Sequence, residues 1–466
     1  MPSQDTEHLS RILRAAAQPL HGGPGDLDPA LALIGDASCV LIGEASHGTH
    51  DFYRVRAELS KRLIVEKGFA AIAVEADWPD AYRVNRYVHG RSADRDANAA
   101  LADFKRFPGW MWRNADVLDF VGWLRAHNDL QPASARVGFY GLDLYSLHTS
   151  IRAVLAYLDR SDPEAARRAR DRYACLEHAG EDPQRYGYAA SFGLTPVCER
   201  QVVEELIDLQ RQRSRLIERD GVVAEDEFFH AEQNARLVKN AERYYRAMFQ
   251  GHVSSWNLRD EHMADTFDAL RDHLALRDHL ALHDHLALRG RPQGANGAAA
   301  KLIVWAHNSH VGSARATAQG AQGELTLGQL VRERHPDTTV LLGFTTHTGT
   351  VTAASDWGEP AERKWVRPSL PASYERLFHD TGLPKFFLNL HLARLAEGLA
   401  SPRLHRAIGV IYRPDTERAS HYFQTRLSRQ YDGVFHLDQT RALEPLEPTE
   451  HWERGEDAPE TYPTGV

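Results

Sequence analysis

Short apolar runs alternate with amphipathic stretches over the first third of the chain. Residues 39–43 (CVLIG) form an apolar run closed by glycine, and residues 69–76 (FAAIAVEA) form a second. Their length and flanks predict two buried strands. A third strand lies within 133–143 (ASARVGFYGLD). Between the first two, Phe52, Val55, Leu59 and Leu63 recur at roughly helical spacing and predict a helix over 50–67. Further helical stretches fall around 79–88 and 114–128, with a short amphipathic one at 1–18 and a loop at 21–29. Strand–helix alternation of this kind predicts parallel βα units.

From about residue 146 to 288 the chain is rich in Arg, Glu, Ala and Leu and carries no convincing strand signal, which predicts a mostly helical segment. Strand signals return at 301–307 (KLIVWAH), 339–344, 405–413 and 431–437. The expected fold is therefore α/β: a mostly parallel β-sheet core flanked by helices, with a large helical insertion forming one side of a cleft. The expected organisation is 1–145 for the first part of the core, 146–290 for the insertion or cap, 301–447 for the second part, and 448–466 for an acidic, Pro-rich tail without fixed structure.

Residues 271–288 read RDHLAL, RDHLAL, HDHLAL. At about 100° per residue, a period of six points His273, His279 and His285 in three directions, and only His279 and His283 share a face. Such a repeat builds no single face, so duplication lengthening a surface helix explains it better than a metal pair. A flexible loop is expected over 289–300.

Composition narrows the function classes. The 466 residues are 42% hydrophobic and 26% charged, enough for one large domain or two ordinary ones. With 55 basic against 64 acidic residues the net charge is −9, which argues against a general nucleic-acid binder. Cys39, Cys175 and Cys198 are far apart and show no CxxC spacing, which argues against a disulfide framework or a thiolate zinc site. No basic segment followed by an apolar stretch opens the chain, and no apolar run approaches the roughly 20 residues of a membrane span. A cytoplasmic protein without membrane or nucleic-acid partners is expected. Histidine, at 25 residues, is the outlier.

Four strand ends carry candidate chemistry, at the sheet edge where open α/β folds bind ligands. The turn Gly43-Glu44-Ala45-Ser46-His47-Gly48 places a carboxylate and a histidine three apart, a pairing suited to general base work. The same turn also reads as an ordinary helix cap with Ser46 or Thr49 as N-cap. Trp305-Ala306-His307-Asn308-Ser309-His310 places two histidines past another strand, as a functional or a structural pair. Glu75 closes an apolar strand and needs a partner if buried, and Arg56 is the expected one. Asp143 also ends a strand, either lining the site or capping the next helix, with capping or support of the site favoured. G-x-S-x-G, Walker A and HExxH motifs are absent from the sequence, and Ser46, adjacent to His47, is poorly placed as its nucleophile.

At these positions the chain resembles the erythromycin esterase family. The similarity runs from about 35 to 447 and rests on LIGEASHGTHDFYRVRAEL, AIAVEADWPDAYRVNRYV, FYGLDLYSL, WNLRDEHM, VWAHNSHVG and two longer segments over 352–375 and 420–447. The resemblance implies a hydrolase that opens a macrolactone or another ester by water attack, without a covalent intermediate and without a cofactor. It implies His47 as base with Glu44 from the same turn, and Arg56, Glu75, His307 and His310 as further site residues. The expected partner is a small-molecule ester. Uncharacterised members are resembled at least as closely as resistance esterases, so the substrate stays open. Two alternatives accompany this reading. The same His/Glu cluster could hold a water-activating metal, or the cleft could serve a binding or biosynthetic accessory protein.

Overall fold

The computed structural model describes residues 4–177, 182–220, 222–287 and 299–455. Cys39–Ile42, Ala71–Asp77 and Leu302–Trp305 are buried along their whole length, as strands covered on both faces must be. Their alternate residues feed two separate cores. Cys39, Leu41, Ala71, Ala73, Leu302 and Val304 face one, while Val40, Ile42, Ile72, Val74, Ile303 and Trp305 face the other. Each fully buried aliphatic side chain contributes about 1.5–3 kcal/mol, so this parity fixes the register.

Among the described residues, eleven strands follow in chain order. They are β1 (Gln18–Pro19), β2 (Cys39–Ile42), β3 (Ala71–Asp77), β4 (Gly138–Asp143), β5 (Leu302–Trp305) and β6 (Thr339–Ala353), then β7 (Glu362–Val366), β8 (Lys385–Asn389), β9 (Arg403–Arg406), β10 (Tyr422–Thr425) and β11 (Gly433–Thr440). The main sheet has the order β1-β8-β11-β6-β2-β5-β3-β4, with β7 paired to β6. From β11 across to β4 every pairing is parallel. β1, β7 and β8 are antiparallel additions on the other side. The fold is thus mixed α/β with a mostly parallel centre. β5 enters between β2 and β3, so the ends of these three strands lie side by side although about 225 residues separate β3 from β5 in sequence.

The helices His50–Lys67 and Ala115–Asp129 pack on the face of Val40 and Ile42. Six long helices, from Leu147–Ser161 to His252–Ala287, join β4 to β5 and pack on the face of Cys39 and Leu41. Among the described residues no helix is long and apolar enough to cross a membrane.

Several expectations need correction. The run 405–413 is not a core strand. β9 ends at Arg406 and pairs with β10 in a separate two-stranded sheet. Beyond it, Ile408 and Tyr412 pack with Val351, Ala353 and Val366 in a third, small core, held by isolated bridges to Ser46 and Ala354. Cys175, in the helix Pro163–Glu177, and Cys198, just before the helix Glu199–Asp220, form a disulfide with Cα atoms 6.0 Å apart, because the fold brings together the two ends of a 23-residue interval that looks unrelated in sequence. The first unit of the repeat is not on a surface: His273 is buried, stacked 4.0 Å from Phe229 and bonded to Asp226 at 3.0 Å. The side chains of His279, His283 and His285, and residues 288–298 of the expected loop, lie outside the described residues. Of the tail, Glu450–Arg454 is a helix anchored by Trp452, whose Nε1 donates to Thr352 Oγ1 at 2.7 Å; residues 456–466 lie outside the described residues.

Candidate active site

β2 runs into the Gly43–Gly48 turn, and backbone crowding sets the residue types there. A Cβ on Gly43 would strike Asn308 Oδ1, and one on Gly48 would strike the Thr352 carbonyl. The turn carries Glu44, fully buried, and His47, whose Nδ1 lies 2.9 Å from Glu44 Oε1. That contact holds the imidazole by one nitrogen and leaves Nε2 on the cavity side. The other Glu44 oxygen is 2.8 Å from Arg56 Nη2, an ion pair at contact distance but off hydrogen-bond alignment. Arg56 is itself fully buried, its guanidinium 4.2 Å from the Tyr53 ring and 5.1 Å from that of Trp305. Ser46 is bonded to the Thr49 hydroxyl. Thr49 is the N-cap of His50–Lys67 but makes no side-chain capping bond.

The turn after β5 docks on the first one. Asn308 N–H donates to the Glu44 carbonyl at 2.8 Å, and the Asn308 side chain brackets the Phe344 backbone. His307 accepts at Nδ1 from Ser309, capping the short helix that follows. Its ring centroid lies 4.7 Å from that of His47. Burial, reinforced by His47, pushes His307 well below the ordinary histidine range, so the ring is neutral.

Glu75 does not meet Arg56. It shares the parity of Ala71 and Ala73 and so projects towards the helical insertion, whereas Arg56 lies on a helix across the sheet. Its partner is Arg259, on His252–Ala287, whose Nη2 donates to Glu75 Oε1 at 2.7 Å. The other Glu75 oxygen accepts from His307 N–H at 2.8 Å. Burial alone would raise Glu75; His310, Arg259 and His47 together outweigh it and hold the carboxyl well below the usual range. Arg259 also grips Asp143 through Nε at 3.0 Å and Nη2 at 2.7 Å, so Asp143 supports the site rather than capping a helix. Its Nη1 reaches His310 Nε2 at 2.9 Å.

His310 faces Asp260, the neighbour of Arg259, with Nδ1 2.9 Å from both carboxylate oxygens. Trp256 stacks on the ring at 4.6 Å. Burial disfavours the charged ring, but Asp260 and Glu75 outweigh it and raise His310 above the ordinary value. Neutral His310 accepts from Arg259 at Nε2; charged His310 turns that N–H towards Glu75 Oε1, 3.4 Å away.

These groups border one cavity of about 540 Å³, inside the roughly 300–1,000 Å³ range of small-molecule sites. His47, Glu75, Asp143, Arg259, His307 and His310 line it, with Trp112, Tyr145 and Trp256 among its aromatic walls. Glu44 and Arg56 do not; they sit behind His47. Arg56 is therefore not at the cavity wall, and its contact with the site runs through Glu44. The sequence reading missed Arg259 and Asp260. The signal was there: Trp256, Arg259, Asp260 and Met263 follow i, i+3, i+4, i+7 spacing, the buried stripe of a helix interrupted by two charges.

The metal alternative finds no donor set. Among the described residues no three His, Cys, Asp or Glu side chains are placed to share an ion. His310 has both ring nitrogens engaged, Nδ1 with Asp260 and Nε2 with Arg259. The Arg259 guanidinium fills the space between Glu75, Asp143 and His310, where a dication would be repelled.

Comparison with known proteins adds to the geometry. A sequence profile described as Erythromycin esterase matches residues 64–440. The turn with Glu44 and His47 precedes that segment. "Erythromycin esterase type II" of Escherichia coli is 21% identical over 446 residues, covering 90% of this chain and 93% of its own. A solved Bacillus cereus protein superposes with a TM-score of 0.75 at 19% identity, covering 95% of this chain and 99% of its own. A succinoglycan biosynthesis protein reaches 0.72 at 20%, covering 95% and 100%. A mutant of the erythromycin esterase EreC in its open conformation reaches 0.63 at 15%, covering 92% and 98%.

Proposed function

The chain belongs to the erythromycin esterase family, and on that footing we propose that its cavity hydrolyses an ester by direct attack of water activated by His47. One observation carries this reading: His47 and His310, each held from behind by a buried carboxylate, Glu44 and Asp260, border the same cavity with Arg259 between Glu75 and His310. Glu44 orients His47 through Nδ1, and Arg56 lies against the other Glu44 oxygen and holds the carboxylate in place. Nε2 of His47 takes a proton from water as the water oxygen attacks the ester carbonyl carbon. Arg259 directs three of its five N–H groups to Asp143 and Glu75. With His310 protonated as the acid, Nη1 no longer donates to it, and an Nη1–H serves the oxyanion. When the tetrahedral intermediate collapses, the C–O bond breaks and His310 protonates the departing alkoxide. The products are an acid and an alcohol, joined in one molecule if the substrate is a lactone.

The helical segment 146–290 acts as a cap in this reading, since His252, Trp256 and Arg259 form one wall. Erythromycin-type macrolactones are the first substrates to test, alongside simple esters. Incubation with such a panel, read by mass spectrometry, should show a product heavier by one water. Intact-protein mass during turnover should show no acyl adduct. An acyl-enzyme would overturn direct water attack, and a wild-type protein silent across the panel would favour a binding role.

A further inference from the structure

The segment from Tyr186 to Cys198 (YGYAASFGLTPVC) carries no charged residue, in a chain of which 26% is charged. It spans the second half of the helix Pro183–Ser191 and the loop into Glu199–Asp220. Tyr186, Gly187 and Ala190 are buried. A Cβ on Gly187 would strike the Tyr245 carbonyl, so the helix sits tightly on Val222–Ala247. The opposite side is apolar and open to solvent. Tyr188, Phe192, Leu194 and Val197 are 51%, 60%, 71% and 43% exposed, and Phe249, just past the end of Val222–Ala247, is 42% exposed. The Tyr188 ring lies 4.8 Å from that of Phe192 and 5.6 Å from that of Phe249, with Leu194 and Val197 on the loop that follows. The backbone holds these side chains outward. Phe192 and Leu194 donate their N–H groups to the Tyr188 and Ala189 carbonyls at 3.2 and 2.8 Å, Gly193 turns the chain at a φ of 70°, and buried Cys198 is tied to Cys175.

We propose that this face pairs with the same face of a second copy of the chain, forming a two-fold dimer through the helical insertion. A two-fold contact needs a patch complementary to itself, and an uncharged apolar face meets its own copy without repulsion. The area suffices. At the exposures above the five residues present about 500 Å² to solvent, at the upper end of the largest patch on an ordinary monomer. Two such faces cover about 1,000 Å² between them before any rim is counted, the level at which an interface becomes specific. The rim is balanced in sign, with Asp182 and Arg185 at one end and Glu199 and Arg200 at the other, so the net charge of −9 is not concentrated there. A lipid surface fits less well, because segments that bind one carry an excess of Lys and Arg beside the apolar face. The inference is independent of the esterase reading.

The test is sedimentation equilibrium of the full-length protein between about 1 and 100 µM. A monomer–dimer equilibrium with a dissociation constant of about 1–10 µM is expected. Phe192→Asp and Phe249→Asp each set an unpaired charge in the contact and should weaken the dimer at least about thirtyfold. Both side chains are exposed, so melting temperatures at about 0.1 µM, where the monomer dominates, should stay within about 2 °C of the wild type. Val65→Asp, at a site 63% exposed on the helix His50–Lys67, should leave the dimer unchanged. A wild type still monomeric at about 100 µM, or a dimer that Phe192→Asp and Phe249→Asp leave intact, would overturn the proposal. So would a monomer that floats with phosphatidylcholine vesicles, which would assign the face to lipid.

Discussion

Replacing Arg259 with Met keeps most of the side chain's volume and removes its charge. Four hydrogen bonds vanish, and Glu75 and Asp143, 4% and 3% exposed, become two buried carboxylates without their shared cation. Breaking a buried ion pair from one side costs about 3–5 kcal/mol. At about 2.1 cal/mol/K per residue, the unfolding entropy of 466 residues is about 1 kcal/mol/K, so the melting temperature should fall by about 3–5 °C near pH 8. The pH dependence identifies the cause. In the wild type both carboxyls are depressed, so their stabilisation is present above their unfolded pKa values and lost as pH falls through the folded ones. Without Arg259 both carboxyls lose a counter-charge and rise relative to the wild type, so the variant's deficit grows as pH climbs above about 4. Scanning calorimetry on both proteins at about pH 5 and 8 should show a smaller gap at the lower pH. A loss below about 1 °C at pH 8, or an equal gap at both values, would refute the placement of Arg259 between its carboxylates.

Asp260→Asn should lower turnover by about 10²–10⁴-fold with little change in KM. Because the raised His310 pKa depends on the Asp260 charge, the alkaline limb of the pH–rate profile should move to lower pH; an unmoved limb would show that Asp260 only packs. Gly48→Ala drives a Cβ into the Thr352 carbonyl, where backbone cannot give way. It should cost about 1–3 kcal/mol by denaturant titration, and a neutral result would contradict the tight turn. His89 and His262 are buried and lowered to about 4. Unfolded histidine binds its proton near 6.5, so stability should decline between about pH 6.5 and 4 and a His262→Gln variant should decline less. Parallel acid curves for the two proteins would count against that assignment.

Much of the core was legible because its strands announce themselves. Residues 39–42, 71–74 and 302–305 are unbroken apolar runs, and the polar residues that follow them mark the sheet edge where Glu75, His47, His307 and His310 gather. What stayed hidden depends on facing. Arg56 and Arg259 are equally plausible partners for Glu75 on paper. Only the parity of Ala71, Ala73 and Glu75, combined with which helix covers which face, decides for Arg259. Arg259 and Asp260 sit in a long helix with ordinary charged surroundings, about 115 residues past Asp143 and 50 before His310. The Cys175–Cys198 bridge depends on how the fold brings these two segments together, which spacing in sequence does not convey. The run after Arg406 has strand composition but makes only isolated bridges, Ile408 to Ser46 and Ile411 to Ala354, and packs in the small third core instead.

The most direct test of the account is the hydrolytic rate of His47→Ala on an ester that the wild type cleaves, measured with its melting temperature. Loss of the base should lower the rate by about 10²–10⁴-fold while the melting temperature stays within about 2 °C, since the His47 side chain lies on the cavity wall and Glu44 keeps Arg56. Turnover within about threefold of wild type in a folded His47→Ala protein would contradict the claim that the His47–Glu44 pair activates the water.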